Sequence, residues 1–278
     1  LIISVTAANL SRPVRPSTCT LLPVPRAFAF TSFCVGLPTF STPCAVRSTN
    51  SYNKDTDLQC KVRDWRSYDI EYWASYGITL EWLKYAEVYP ISHKIVIKDG
   101  HRYVFGADKY AYAYVEHKGK VTLKIYQPFN KAGYKWSNKH DNSVVSLWTK
   151  VPEYGEQICI CSSLKDALCL WANTGIPSLA IQGEGYRMSN TAISELKRRY
   201  KQVFICLDND EPGLKDAQKL AEETGFTNVV LPPFNEGKDI SDLYKAKGKD
   251  EFLRIIKPLF NSSRQEDNDW NDLPFCID

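Results

Sequence analysis

The residues best equipped for chemistry stand at the end of one apolar run. Val203-Phe204-Ile205-Cys206-Leu207 is followed by Asp208-Asn209-Asp210-Glu211-Pro212-Gly213. Asp208 and Asp210 are two residues apart, and in extended backbone such a pair leaves on the same side. Two carboxylates held that close repel one another unless a cation lies between them. An all-oxygen donor set suits Mg²⁺, which keeps several waters and takes one or two carboxylates together with substrate phosphates. Mn²⁺ accepts the same ligands. The chemistry implied is displacement at phosphorus, where a bound cation neutralises charge on the attacking and leaving oxygens. The competing reading is an acidic loop at a sheet edge.

The elements around the pair decide how it is held. Five apolar, mostly branched or aromatic residues read as a strand buried on both faces, as in parallel sheets. Pro212 and Gly213 open a helix over 214–224, with Leu214, Ala217, Leu220 and Ala221 on one face and Gly225 as its stop. The same unit recurs from Gln157 onward. Strands are predicted at 158–160, 178–181, 203–207 and 228–231, with helices over 164–174 and about 190–200 between the first three. Such alternation predicts a parallel sheet with helices on both faces and ligands at the carboxyl ends of its strands. Four polar pieces fall there: Ser162-Ser163-Leu164-Lys165-Asp166, Gln182-Gly183-Glu184-Gly185, Asp208-Asn209-Asp210 and Gly237-Lys238-Asp239. A helical finish halts at Pro258, and residues 259–278 read as an acidic, disordered tail.

Upstream the pattern changes. Residues 1–50 hold Arg12, Arg15, Arg26 and Arg47 but no Lys, Asp or Glu. Three readings stand: a presequence of the organelle-targeting kind, an artefact of translation upstream or out of frame, or a disordered arm. This segment carries four of the 35 basic residues and none of the 32 acidic ones, which leaves residues 51–278 at about −1, so a nucleic-acid site there has to be a local patch. Residues 51–152 read as a small α+β module, with order starting near Asp64. Helical spacing covers 67–75, and Thr79 caps a second helix. Lys94–Lys98 and His101–Phe105 flank Asp99-Gly100 as a hairpin, and Tyr110–Val115 with Val121–Tyr126 make a second antiparallel pair. The outer surface is expected to interleave Arg102, Lys109, Lys124, Lys131 and Lys135 with Tyr112, Tyr126, Tyr134 and Trp136. That mixture suits a single-stranded nucleic acid, with cations for phosphate and rings for bases. The alternative is that half of the rings face the core and the lysines are solvated.

Other chemistries are excluded by spacing. The nine Cys include no C-x-x-C pair, so no zinc site is expected. Cys159, Cys161 and Cys206 lie inside apolar runs and read as small core residues in a reducing compartment. No run of about eighteen apolar residues exists to span a membrane. The P-loop pattern G-x-x-x-x-G-K-[ST] is missing too, and with it a helicase motor in this sequence.

Taken together, the four strand-end pieces resemble the TOPRIM domain of bacterial-type primases, topoisomerases and phage primase-helicases. The resemblance covers about residues 155–257, within a domain bounded at 153–258. Its most specific part is the apolar strand with Asp208-x-Asp210-x-x-Gly213, and Lys165-Asp166-Ala167-Leu168 and Gly237-Lys238-Asp239 are close to the primase flavour of the family. Residues 64–150, with Tyr72-Trp73, Gly77-Ile78-Thr79 and Tyr126-Gln127-Pro128, look like the amino-terminal part of a phage primase core. The fold implied is a TOPRIM-like parallel sheet flanked by helices, preceded by a small α+β module with antiparallel strands.

The function implied is a DNA primase-type nucleotidyltransferase that makes short primers on single-stranded DNA from nucleoside triphosphates with Mg²⁺. Its setting would be the cytoplasm of a bacterial or phage-infected cell, with a separate replicative helicase as partner; organellar targeting by residues 1–50 is the alternative. Asp208, Asp210 and Asp239 are the implied metal ligands. Lys165 belongs to the catalytic set, and Lys238 joins Arg102, Lys124, Tyr126, Lys135 and Trp136 on the nucleic acid. One departure stands out. Where the family carries Glu-Gly, this sequence has Ser162-Ser163, and serine has no charge at neutral pH. Glu184, from a neighbouring strand end, is the candidate substitute. Alternatives are a TOPRIM nucleic-acid-binding module that has lost catalysis, and a Mg²⁺-dependent nuclease.

Overall fold

The computed structural model describes residues 2–3, 56–118, 120–140, 143–183 and 185–261. Expectations for residues 4–55 and 262–278, and for Glu184, lie outside the described residues. The amino-terminal sheet is antiparallel throughout. Its strands are β1 (Ile2–Ile3), β2 (Thr56–Val62), β3 (Val88–Lys98), β4 (His101–Gly106), β5 (Tyr112–Lys118), β6 (Lys120–Tyr126) and β7 (Trp136–Asn138). They run in the order β1-β2-β3-β5-β6-β7, with β4 folded back on the outer half of β3. The β3–β4 turn is Asp99-Gly100, with φ of 51° and 73°, the left-handed pair that a two-residue hairpin requires.

Two expectations are corrected here. Regular structure is already present at Thr56–Val62, ahead of the expected start near Asp64, where Leu58 and Cys60 alternate inward as a strand does. Ile2 and Ile3 pair with Lys61 and Cys60, so this part of the first fifty residues is strand. Between β2 and β3 lie α1 (Ser67–Ala74) and α2 (Leu80–Tyr85), the second with Thr79 as its N-cap residue. Asp69 on α1 is fully buried, paired through both oxygens with Arg63 at 2.6 and 2.9 Å and accepting from Tyr112 Oη at 3.0 Å. A buried carboxylate of this kind is tolerated because every oxygen has a donor.

The second sheet is parallel. It comprises β8 (Gly155–Cys161), β9 (Ser178–Ala180), β10 (Tyr200–Cys206) and β11 (Thr227–Asn228), in the order β11-β10-β8-β9. The connecting helices are α3 (Leu164–Thr174), α4 (Asn190–Arg199) and α5 (Glu211–Thr224). The chain leaves β8 to one side for β9, then returns to the other for β10. Strand order therefore reverses at the β8–β10 junction, where ligands of such sheets bind. The last strand is shorter than predicted, although Val229 N still donates to Ile205 O at 2.8 Å. α6 (Ile240–Asn261) breaks at Gly248 and does not halt at Pro258, because Phe260 is buried with its ring 5.0 Å from that of Phe204. None of the described helices is long and apolar enough to cross a membrane.

One continuous apolar core joins the two halves. Trp171 of α3 packs on Trp82 and Tyr85 of α2, with centroids 5.2 and 5.8 Å apart. A strap over residues 144–151 adds polar ties. Ser146 and Ala180 exchange backbone hydrogen bonds at 2.8 and 3.2 Å. Leu147, at φ 67°, donates its N–H to the fully buried carboxyl of Glu116 at 3.2 and 3.3 Å.

Burial raises the Glu116 pKa to about 8, opposed by the Leu147 N–H, Ser146 and Lys150. A carboxyl whose folded pKa is raised stabilises most below its unfolded value, here 4.5, and that contribution is lost as pH climbs through about 8. Glu116→Gln keeps an acceptor for Leu147 and removes the titration. Its melting temperature should therefore gain on the unmutated protein between pH 5 and 8.5, measured by thermal denaturation across that range. A second expectation concerns how α5 approaches β10. A Cβ at Gly213 would lie 2.3 Å from Asp208 O, so Gly213→Ala must push the helix off the strand end. The expected cost is about 1–3 kcal/mol of stability in chemical denaturation, as for other overpacked sites.

Candidate active site

The pairing of β10 with β8 in register Cys206↔Cys161 sets the residues beyond both strands side by side. Ser162 Oγ donates to Asp208 Oδ1 at 2.5 Å. Asp210 is the N-cap of α5, accepting from Gly213 N at 2.9 Å through Oδ1. Each aspartate turns its remaining oxygen to one cation. Lys238 Nζ stands 2.9 Å from Asp208 Oδ2 and 2.5 Å from Asp210 Oδ2. The lysine is placed by its own backbone: Asn209 N, between the aspartates, donates to Lys238 O at 2.7 Å, and Lys238 N donates to Asp242 Oδ2 at 3.3 Å. Gly237 permits this approach, since a Cβ there would meet Asp242 Cβ at 2.3 Å. The hydrogen bond from Lys238 holds the Asp210 carboxyl below its usual range. Partial burial works against charge on Lys238, but bonds from Asp210 and Asp208 outweigh it and raise its pKa.

Asp239 does not join the pair. Its Oδ1 accepts from Ser241 Oγ and Asp242 N, both at 2.7 Å, at the start of α6. Its Oδ2 faces Lys165 Nζ at 3.4 Å. Burial opposes its ionisation, yet Lys165 and these donors bring the carboxyl below its usual range. Lys165 is thereby committed, lying 4.6 Å over the Tyr76 ring as well. Behind it Asp166 is buried, accepting from Ser163 Oγ at 2.5 Å and Ser241 N at 3.1 Å, with the hydroxyls of Ser162 and Ser241, each shared with a second aspartate, at 3.3 and 2.6 Å. Burial and the nearby Asp239 raise its pKa to about 7. Ser162 thus hangs between Asp208 and a second, interior carboxyl, a link no spacing rule announces. As for Glu184, β9 is separated from β10 by β8, so acids at their ends are not strand neighbours. The loop after β9 does cross to α5, with Gly185 N on Asp216 Oδ2 at 2.7 Å.

The residues assigned to nucleic acid divide by burial. Tyr112 and Tyr126 are buried, correcting their assignment to the outer surface. They face the main core, where Tyr72 stacks on Tyr112 with centroids 5.7 Å apart, while the alternate residues Ala113, Val115, Leu123 and Ile125 are buried in a second cluster. Lys124 is largely enclosed, over the Trp136 ring at 4.5 Å and within 3.3 Å of Gln182 O, and burial lowers its pKa to about 8. Trp136 is half-buried and stacks on Tyr126 at 4.4 Å. Arg102 and Lys135 are exposed. Sequence reasoning missed Lys94, which lies over the rings of Tyr134 and Phe105 at 5.3 and 5.9 Å. It also missed the exposed Tyr103, Phe105 and Phe129. On β4 every side chain is exposed, so alternation gives no sign of which residues face a ligand.

Among the described residues no three His, Cys, Asp or Glu side chains form a complete metal cage. The oxygens of Asp208 and Asp210 nevertheless converge on one cation, and an all-oxygen pair fits Mg²⁺ with water and substrate completing its shell.

Comparison with known proteins bears on this arrangement. Residues 159–244 match the Toprim-like family. A stretch of 82 residues is 34% identical to the Gene 57 protein of Mycobacterium phage D29, covering 30% of this chain and 51% of that protein. The matched stretch spans about half the length of that relative. Among solved structures, the Aquifex aeolicus primase, with its zinc-binding and RNA polymerase domains, aligns at a TM-score of 0.51 and 14% identity. That alignment covers 71% of this chain and 56% of that one. A DnaG primase catalytic domain bound to single-stranded DNA aligns at 0.50 and 14%, covering 71% and 75%. At such identity the likeness is one of fold. Residues 159–244 thus match the Toprim-like family, and the chain that carries them is similar in fold to primase cores.

Proposed function

We propose that this protein is a Mg²⁺-dependent nucleotidyltransferase of the primase type, joining nucleotides on a single-stranded DNA template. The observation that carries the reading is the convergence of Asp208 and Asp210 on one cation position at the β8–β10 junction. Mg²⁺ held there would neutralise charge on the attacking and leaving oxygens of the phosphoryl group. The chain's own residues do the positioning. Asp210 is fixed by the first turn of α5, and Asp208 by Ser162, so neither carboxylate has to reorganise when a ligand arrives. Lys238 is the cation nearest to an incoming triphosphate. Lys165, tied to Asp239, braces α3 against α6 instead of meeting phosphate. The template is expected to cross the face carrying Arg102, Lys94, Tyr134 and Lys135, where cations and exposed rings alternate. Single-stranded DNA in the DnaG complex supports that choice of ligand.

Ser162 favours a second reading, a nucleic-acid-binding module without catalysis, since it removes one negative charge from the site. Synthesis of labelled oligonucleotides on a single-stranded template, with nucleoside triphosphates and Mg²⁺, separates the two. Asp208→Asn and Asp210→Asn should each cut synthesis by a factor of about 10² or more, the scale of losing a central electrostatic group. No synthesis by the unmutated protein, with DNA binding intact, would establish the second reading.

The binding face has its own test. Arg102→Ala and Lys135→Ala should weaken binding to oligo-dT and flatten the plot of log affinity against log salt. Each lost phosphate contact removes about 0.7 from the slope. An unchanged slope in both variants would move the DNA path off this sheet.

A further inference from the structure

Lys238 is the only described cation that reaches both aspartates, and it does so at hydrogen-bond distance from each. Its ammonium sits where a divalent ion shared by Asp208 Oδ2 and Asp210 Oδ2 would have to lie. It is not buried there: the side chain is 46% exposed, against 19% and 32% for its partners. Its main chain is pinned to Asn209 and Asp242, but the four-carbon stem beyond Cα is free to turn. The aspartates have no such freedom, each being tied by its other oxygen. In a family member with a glutamate at the position of Ser162, one more negative charge would help draw a cation in. Here the pair carries two negative charges, and Lys238 already offsets one.

We infer that Lys238 is an internal cation that competes with the divalent ion, so that metal enters productively only with a nucleoside triphosphate, whose phosphates take the ammonium off the aspartates. The inference rests on reading Asp208 and Asp210 as a metal pair, and it adds a coupling between two ligands. Expelling the lysine costs the metal two charge-assisted hydrogen bonds. When a triphosphate is present, the displaced ammonium finds new anionic partners within reach of its stem, and that cost is returned. Metal and nucleotide therefore raise each other's affinity by the same factor, as linkage requires. Lys165 cannot play this part, because Asp239 and Asp242 hold it on the other side of α6's first turn. A lysine that served only to neutralise the pair would make the unliganded protein more stable and leave metal affinity independent of nucleotide.

The test compares the unmutated protein with Lys238→Gln, which keeps the stem and removes the charge. Mn²⁺ binding is followed by electron paramagnetic resonance of the free ion, without nucleotide. Affinity for a fluorescent ATP analogue is followed by anisotropy, in Mg²⁺ and in EDTA. Lys238→Gln should bind Mn²⁺ alone about tenfold more tightly, within the usual range of coupling between sites. Its nucleotide affinity should respond to Mg²⁺ less than the unmutated protein's does. Its melting temperature should fall in EDTA and recover in Mg²⁺, which also reports that the variant is folded. Equal Mn²⁺ affinity in the two proteins would overturn the competition and leave the metal pair standing. Absence of Mn²⁺ binding in both, and in Lys238→Gln with Asp208→Asn as the blank, would overturn the metal reading itself.

Discussion

Two carboxylates two residues apart, at the end of a strand that cannot move, set the terms for everything around them. β10 is buried on both faces and paired on both edges, so Asp208 and Asp210 cannot separate to relieve their repulsion. The surrounding chain answers with donors. Ser162 comes from the adjacent strand, the first turn of α5 supplies Gly213 N, and the segment before α6 supplies Lys238. Coulomb attraction at these separations is strong only because the strand ends are partly withdrawn from water. The arrangement also fixes Gly213 and Gly237, since any side chain at either would push an aspartate or its support aside.

Behind this first ring lies a second, interior set of charges. Asp166, Asp239 and Lys165 are joined through Ser241, whose Oγ touches both carboxyls. One of those carboxyls rises in pKa and the other falls, as expected when two acids share one nearby cation. The set ties α3 to the start of α6 and so holds Lys238, three residues before Ser241, in line with the aspartate pair. Ser162 touches both sets, and it is the one position where a change would be felt in each.

Much of this was legible in the sequence, for reasons that can be stated. The parallel sheet announced itself through short apolar runs ended by Ser, Gln, Asp or Pro, because a strand buried on two faces has no polar positions to blur the signal. The helix over 164–174 was bounded correctly, and the structure caps it with Ser163 and Gly175, roles that depend on local backbone alone. The aspartate pair was legible because strand geometry projects i and i+2 to one side. What sequence could not supply was contact across the sheet. Asp239 sits one residue from Lys238, yet a helix cap turns it away, and that depends on Ser241 and Lys165 arriving from α6 and α3. Tyr112 and Tyr126 looked like a binding face because alternation tells which residues share a side but not whether that side meets water, and here residues on both sides are buried.

A serine at position 162 gains its meaning from this contact map. A third acid on β8 would stand beside Asp208 and raise the local charge to a level that one lysine could not balance. Serine instead donates a neutral hydrogen bond to Asp208 and leaves a single lysine facing two aspartates, a cluster with a net charge near −1. Such a cluster holds together without any added ion, whereas one with three acids would depend on metal to hold its shape. A serine here, in place of a third acid, therefore leaves the unliganded site self-sufficient. Under the proposed coupling, affinity for a divalent cation is exchanged for order in the resting state, and a triphosphate would supply the negative charge the pair lacks.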